Sequence, residues 1–78
     1  GREDFKPSNE EIITMSIRHL NMVCEIKGEK VGVREMRKQM AWYLKGMRNS
    51  NEMKNNINTM EYKNEIIEAL LEYLSKIS

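Results

Sequence analysis

From residue 8 onward, apolar side chains recur at the spacings of a helix. Ile13, Ile17, Leu20 and Cys24 follow one another at intervals of four, three and four, which places them on one helical face. Ser8 stands just before this run with Glu11 three places on, a spacing in which hydroxyl and carboxylate each accept from an orphan backbone amide. A helix is therefore predicted to open at Ser8, and Gly28 to close it. Met15, Met22 and Ile26 occupy a second arc of the same segment. Apolar residues over more than half the circumference predict packing neighbours on two sides.

The next segment runs from about Lys30 to Leu44 and ends at Gly46. Val33, Met36, Met40, Leu44 and Met47 share one stripe, with Tyr43 at its edge. Arg34, Lys38, Ala41 and Lys45 form a second stripe about a third of a turn away, and Arg37 lies between the two. One face packs, and the adjacent face is a cationic ridge. Trp42 points nearly opposite the apolar stripe and borders the ridge on its far side. A small bundle usually recruits its Trp, so packing of Trp42 against a neighbouring helix is the expectation.

Asn49 stands three places before Glu52, which predicts a capped short helix over Ser50 to Asn58 that buries Met53 and Ile57. Thr59 is set to cap a last helix, whose broad apolar face comprises Ile66, Ile67, Leu70, Leu71, Tyr73, Leu74 and Ile77. Glu61, Glu65, Glu68 and Glu72 face the other way, toward solvent. No alternating apolar run of strand length occurs. The pattern predicts an all-α fold, a small antiparallel bundle of about four helices, with seven Met residues filling an irregular core.

Composition bounds this picture. A chain of 78 residues holds one domain and buries only roughly 60% of its unfolded surface, so its stability is marginal. Cys24 is the only cysteine and has no internal disulfide partner, which fits a reducing, cytoplasmic setting. No run approaches the ~18 apolar residues of a membrane span, and the acidic start Gly1-Arg2-Glu3-Asp4 lacks the order of a secretory signal. Residues 1–7 carry no apolar period and read as a linker, leaving 8–78 as the helical domain. The net charge of +1 hides an asymmetry. Residues 27–54 hold eight basic side chains (Lys27, Lys30, Arg34, Arg37, Lys38, Lys45, Arg48 and Lys54) against three acidic ones, whereas the flanking stretches are each net acidic.

Candidate chemistry is sparse. His19 and Cys24 provide two ligand groups five residues apart where a metal needs three or four, so no metal is expected and His19 is assigned to the edge of the first helix's core. Cys24 lies in the apolar stripe, where thiols are inert. No glycine-rich phosphate loop follows a strand, and the carboxylates fall on exposed helix faces. Catalysis is not expected of these 78 residues themselves.

The ridge offers cations about every 5.4 Å along a rigid helix, a spacing suited to several phosphates. Trp42 beside it could stack on an unpaired base or pack on a ribose. The competing reading is a solvated face, with Glu35 forming weak ion pairs with its basic neighbours. Two other functions stay open on the residues alone. One is a helical protein-protein adaptor without nucleic-acid binding, using Trp42 and the Met residues. The other, ranked third, is a DNA-binding helix-turn-helix, for which the first helix is long.

The run Arg34-Glu35-Met36-Arg37-Lys38-Gln39-Met40-Ala41-Trp42-Tyr43-Leu44-Lys45-Gly46 resembles the R-E-M-R-K-H-x-x-W-Y-x-K-G signature in the C-terminal helical domain of bacterial tRNA-dihydrouridine synthases. Arg18-His19-Leu20 with Gly28-Glu29 upstream, and Ile57-Asn58 with an apolar helix downstream, match the same layout, so the resemblance covers residues 8 to 74. It departs at Gln39, where the family has His, and at Met47-Arg48-Asn49, which replaces a Leu-Pro-Gly turn. Lys54 stands where an Arg is common, keeping the charge without bidentate geometry.

The resemblance implies a parent enzyme whose own N-terminal TIM-barrel domain binds FMN and reduces a tRNA uridine to 5,6-dihydrouridine with NADPH. The helical domain would grip the tRNA, and Gly1 to Pro7 would be the link leaving the barrel. The family's catalytic Cys belongs to that barrel, and Cys24 is not its counterpart. Arg37, Lys38 and Lys45 fall on the family's basic positions and Trp42 and Tyr43 on its aromatic pair. The expected RNA contacts are Arg34, Arg37, Lys38, Trp42, Lys45 and Arg48, which hold backbone phosphates while the barrel does the chemistry.

Overall fold

The computed structural model describes residues 7–77, and residues 1–6 of the proposed linker lie outside them. Four helices follow in order: α1 (Asn9–Lys27), α2 (Glu29–Tyr43), α3 (Ser50–Asn58) and α4 (Lys63–Ile77). No strand occurs among the described residues, so the all-α expectation holds.

α1 begins as its sequence predicts. The Glu11 amide donates to the Ser8 hydroxyl at 3.1 Å and the Ser8 amide to the Glu11 carboxylate at 2.8 Å, completing the reciprocal cap. Gly28 ends α1 and starts α2 as a one-residue joint. Its φ of 91° and ψ of 155° lie where essentially only glycine is unstrained. The chain reverses there, and Gly32 of α2 comes down on Cys24 of α1. A Cβ at Gly32 would lie 2.7 Å from the Cys24 Cα, so only hydrogen at this position allows the two helices to close. Farther along the pair, the His19 Nδ1 and Tyr43 hydroxyl share a hydrogen bond of 3.0 Å, which ties the C-terminal end of α2 to the middle of α1.

The core lies between this hairpin, α3 and α4. Ile13 and Leu20 of α1, Val33, Met36 and Met40 of α2, Leu44 beyond it, Ile57 of α3 and Ile66 and Leu70 of α4 are all buried. Met53, Ile57, Tyr73 and the α1 stripe occupy the places that their periods predict. Ser16 is also buried, with its hydroxyl donating to the Ile13 carbonyl at 2.7 Å. No helix among the described residues is long and apolar enough to cross a membrane.

Three local expectations are overturned. Asn49 precedes α3 but makes no side-chain cap: its backbone is left-handed, with φ of 56°, a conformation that Asn tolerates better than most residues. Thr59 closes α3 rather than opening α4, its hydroxyl donating to the Asn56 carbonyl at 2.8 Å. The amides at the start of α4 go elsewhere. Those of Glu61 and Tyr62 donate to the Glu65 carboxylate, and that of Lys63 to Glu29 Oε2 at 2.8 Å, so α2 supplies a cap for α4. The third concerns the second arc of α1. Met15, Met22 and Ile26 are exposed, Ile26 by 73%, because α2 and α4 both sit on the opposite side of the helix. Leu71 of the predicted α4 face is exposed as well.

Candidate nucleic-acid interface

Burial of Val33, Met36, Met40 and Leu44 fixes the rotation of α2, and that rotation turns Lys30, Arg34 and Lys38 into solvent. Lys45, just past the helix end, is exposed too. No ion pair engages Arg34, Lys38 or Lys45 among the described residues. The carboxylate expected to neutralise part of the ridge is occupied elsewhere: Lys27 Nζ pairs with both oxygens of Glu35, at 2.9 and 3.1 Å, across the α1–α2 hairpin. The ridge therefore keeps its charge.

Trp42 is 72% exposed and does not join the core. The interior places at this end of α2 are taken by Met40, Leu44 and the half-buried Tyr43, and Trp42 projects away from all three. Lys45 Nζ lies 5.4 Å from the centre of its ring, so an ammonium and a flat aromatic face stand together at the end of the ridge. The packing expected of a lone Trp gives way here to the helical wheel. From Lys30 to Trp42 the ridge runs about 18 Å along the axis.

Two of the predicted contacts are placed differently. Arg37 is half-buried and works inside the fold. Its Nη1 donates to the Asn58 carbonyl at 3.0 Å and the Met60 carbonyl at 3.1 Å, closing the C-terminal end of α3 onto α2. Arg48 lines a groove between α3 and α4 with Glu52, Glu72, Tyr73 and Lys76, a groove that none of Arg34, Lys38 and Lys45 lines. Its backbone carbonyl accepts from the Tyr73 hydroxyl. The structure thus brings together Arg34, Lys38, Lys45 and Trp42, keeps Arg37 at the margin as a clamp, and sets Arg48 apart.

Sequence reasoning missed Tyr62. It precedes α4 and belongs to no helical stripe, so periodicity gives it no role. In the fold it is 61% exposed and lines a cleft of about 520 Å3 with Lys30, Arg34, Arg37, Val33, Glu29 and Glu61. An aromatic next to Gly-free, turn-type sequence between two helices was the available signal.

Cys24, Tyr73 and His19 serve packing. Burial pushes the Cys24 thiol up, with Lys63 pulling it down and Glu29 adding to the rise, so the thiol stays protonated. Burial raises the Tyr73 phenol likewise. His19 is half-buried at the core's edge, as its sequence position implies, and is held by Tyr43 edge to face at 6.0 Å. Among the described residues no group of three His, Cys, Asp or Glu side chains could hold a metal ion.

A family model described as dihydrouridine synthase matches residues 2–78. A probable tRNA-dihydrouridine synthase of Rickettsia conorii (strain ATCC VR-613 / Malish 7) is 30% identical over 77 residues, 99% of this chain and 23% of that protein. One of Rickettsia bellii (strain RML369-C) is 29% identical over 77 residues, 99% of this chain and 24% of that protein. The chain spans about a quarter of the length of the curated relatives it matches.

Proposed function

The chain belongs to the dihydrouridine synthase family, and from that premise we propose that it is the part of a tRNA-dihydrouridine synthase that grips tRNA. One observation carries the reading. Arg34 and Lys38 on one face of α2, and Lys45 just past its end, stand exposed and, among the described residues, free of ion pairs, with Trp42 beside them. Duplex RNA hides its base edges in a deep, narrow groove, so a helix meeting tRNA works on phosphates and ribose hydroxyls and recognises shape. A row of cations carried on one helix does this without rearranging the backbone. Each phosphate contact releases counterions, which makes the grip sensitive to salt.

Extrusion and reduction of the uridine fall to the N-terminal TIM-barrel domain that the resemblance implies. FMN and NADPH would supply the hydride chemistry there. A tRNA substrate also fits the cytoplasmic setting that a lone reduced cysteine suggests.

The exposed Met15, Met22 and Ile26 of α1 support a second reading, a protein-protein adaptor. That reading predicts binding indifferent to salt and to ridge charge. Within the family reading the same stripe would contact the enzyme's own barrel. Reversal of charge at two ridge positions, Lys38→Glu with Lys45→Glu, separates the two proposals. Both residues are exposed, so far-UV circular dichroism should be unchanged while unmodified tRNA binding is lost. Retention of tRNA binding by the folded double variant would remove the ridge from the interface.

A further inference from the structure

Tyr62 is an exposed ring with a fixed address. Its own amide donates to Glu65 Oε1 at 3.3 Å, and its carbonyl accepts from the Glu65 and Ile66 amides at 3.1 and 3.3 Å, which anchors it to the first turn of α4. On one side of it, Arg37 holds the Met60 carbonyl; on the other, Glu29 holds the Lys63 amide at 2.8 Å. Both tethers come from α2. The turn that carries Tyr62 is thus cross-linked to the cationic helix two residues before and one residue after the tyrosine.

The cleft beside it carries both halves of a nucleotide site. Lys30 and Arg34 sit one helical turn apart on one wall, as a phosphate requires, and the Tyr62 ring offers a face to a base. Its volume of about 520 Å3 falls within the usual range of small-ligand sites. Glu61, next to Tyr62, and Glu29, whose carboxylate caps the Lys63 amide, also line the cleft; they disfavour a second phosphate, and Glu61 can accept from the N–H groups of an unpaired base. A continuous duplex presents phosphates in rows and stacks its own bases, and so uses neither the ring nor the carboxylate. An unpaired nucleotide uses both.

We infer that the cleft between α2 and the α3–α4 turn holds one unpaired nucleotide of the RNA, its base stacked on Tyr62 and its phosphate held by Arg34 and Lys30. The site rests on the tRNA-grip reading and adds to it a contact that discriminates looped from fully paired RNA. Because two tethers set the backbone of this turn in place beforehand, little backbone ordering is left for binding.

The test compares wild type, Tyr62→Ala, Tyr62→Phe and Lys38→Glu in the 78-residue chain. Two probes are titrated into each: unmodified tRNA and a blunt-ended RNA duplex of similar charge. Tyr62→Ala should weaken tRNA binding at least about fivefold, the lower end of what one base stack contributes, and leave duplex binding unchanged. Tyr62→Phe should bind tRNA within about twofold of wild type, since the phenyl face stacks as well. Equal tRNA affinity for Tyr62→Ala and wild type overturns the site. So does an equal loss on both probes, which would make Tyr62 a backbone contact. In those cases Lys38→Glu still loses both probes and the ridge stands. If wild type binds neither probe, or Lys38→Glu binds as wild type does, the grip reading itself fails and the cleft falls with it.

Discussion

Arg37 and Arg34 lie three residues apart on one helix, yet the fold treats them as different kinds of residue, and replacing each with Ala should expose the difference. Arg37 makes two charge-assisted bonds, to the carbonyls of Asn58 at 3.0 Å and Met60 at 3.1 Å, and the second is partly buried. A hydrogen bond to a charged group contributes about 1.5–3 kcal/mol, less where water reaches it. Discounting the exposed one, Arg37→Ala should cost about 2 kcal/mol. In a domain of this size 1 kcal/mol moves the melting temperature by about 4–8 °C, so a fall of roughly 8–16 °C is expected. Arg34 is exposed and makes no such bond, so Arg34→Ala should stay within about 0.5 kcal/mol of wild type. Thermal melts followed by far-UV circular dichroism measure both. Equal melting temperatures for the two variants would refute the clamp. The distinction also governs how the interface is probed, because a loss of RNA binding in an Arg37 variant mixes charge with unfolding.

The other predictions concern packing, exposure and pH. Gly32→Ala should destabilise although Ala is the better helix former. The new methyl meets Cys24 backbone atoms at 2.7 and 2.9 Å, and overpacking of about 1–3 kcal/mol outweighs a helix gain of ~1 kcal/mol. Chemical denaturation that shows Gly32→Ala equal to or above wild type would contradict the close approach. Met40→Ala should cost about 2–5 kcal/mol, since this side chain is fully buried, and a loss under about 1 kcal/mol in the same assay would place it off the core. Trp42 fluorescence should have the red-shifted maximum of a hydrated indole and be quenched by iodide in the free protein, with quenching lost on tRNA binding. A blue-shifted, iodide-protected emission from the free protein would place the ring in the core. Burial raises the Cys24 pKa above its unfolded value, so the folded chain holds this proton longer; the associated stability is complete below about pH 8.5 and drains as pH climbs through the folded value. Cys24→Ala should therefore lose less stability than wild type between about pH 7 and about pH 9.5, and equal losses would show that the thiol titrates normally.

Much of this fold was legible because helical period and burial coincide. Ile13, Leu20 and Cys24, then Val33, Met36 and Met40, then Ile66 and Leu70, recur at steps of three, four or seven residues, and all are buried. Ser8 and Glu11 announce the first cap through a spacing that backbone geometry dictates. What could not be read depends on partners distant in sequence. The Glu29 cap on Lys63 spans 34 positions and the Arg37 clamp on Met60 spans 23, so neither leaves a local motif, and Thr59 looked like the better cap. Met22 and Ile26 misled because periodicity reports that a face is apolar, not that this chain covers it. For the interface the wheel was the better guide. It put Arg34, Lys38 and Lys45 outside and turned Trp42 away from the core, against the general tendency of Trp to be packed. Tyr62 lay beyond its reach, since a turn has no period.

If the α2 ridge grips tRNA through phosphates, the grip should be visible when unmodified tRNA is titrated into the isotopically labelled chain at about 50 mM and about 200 mM salt and amide shifts are followed by two-dimensional NMR. With three ridge cations each displacing a counterion, affinity should fall by roughly 20- to 40-fold between the two salts. The shifts should cluster on residues 30–45 and extend to Tyr62. Shifts confined to the Met15, Met22 and Ile26 face of α1, or an affinity unchanged by salt, would contradict the account.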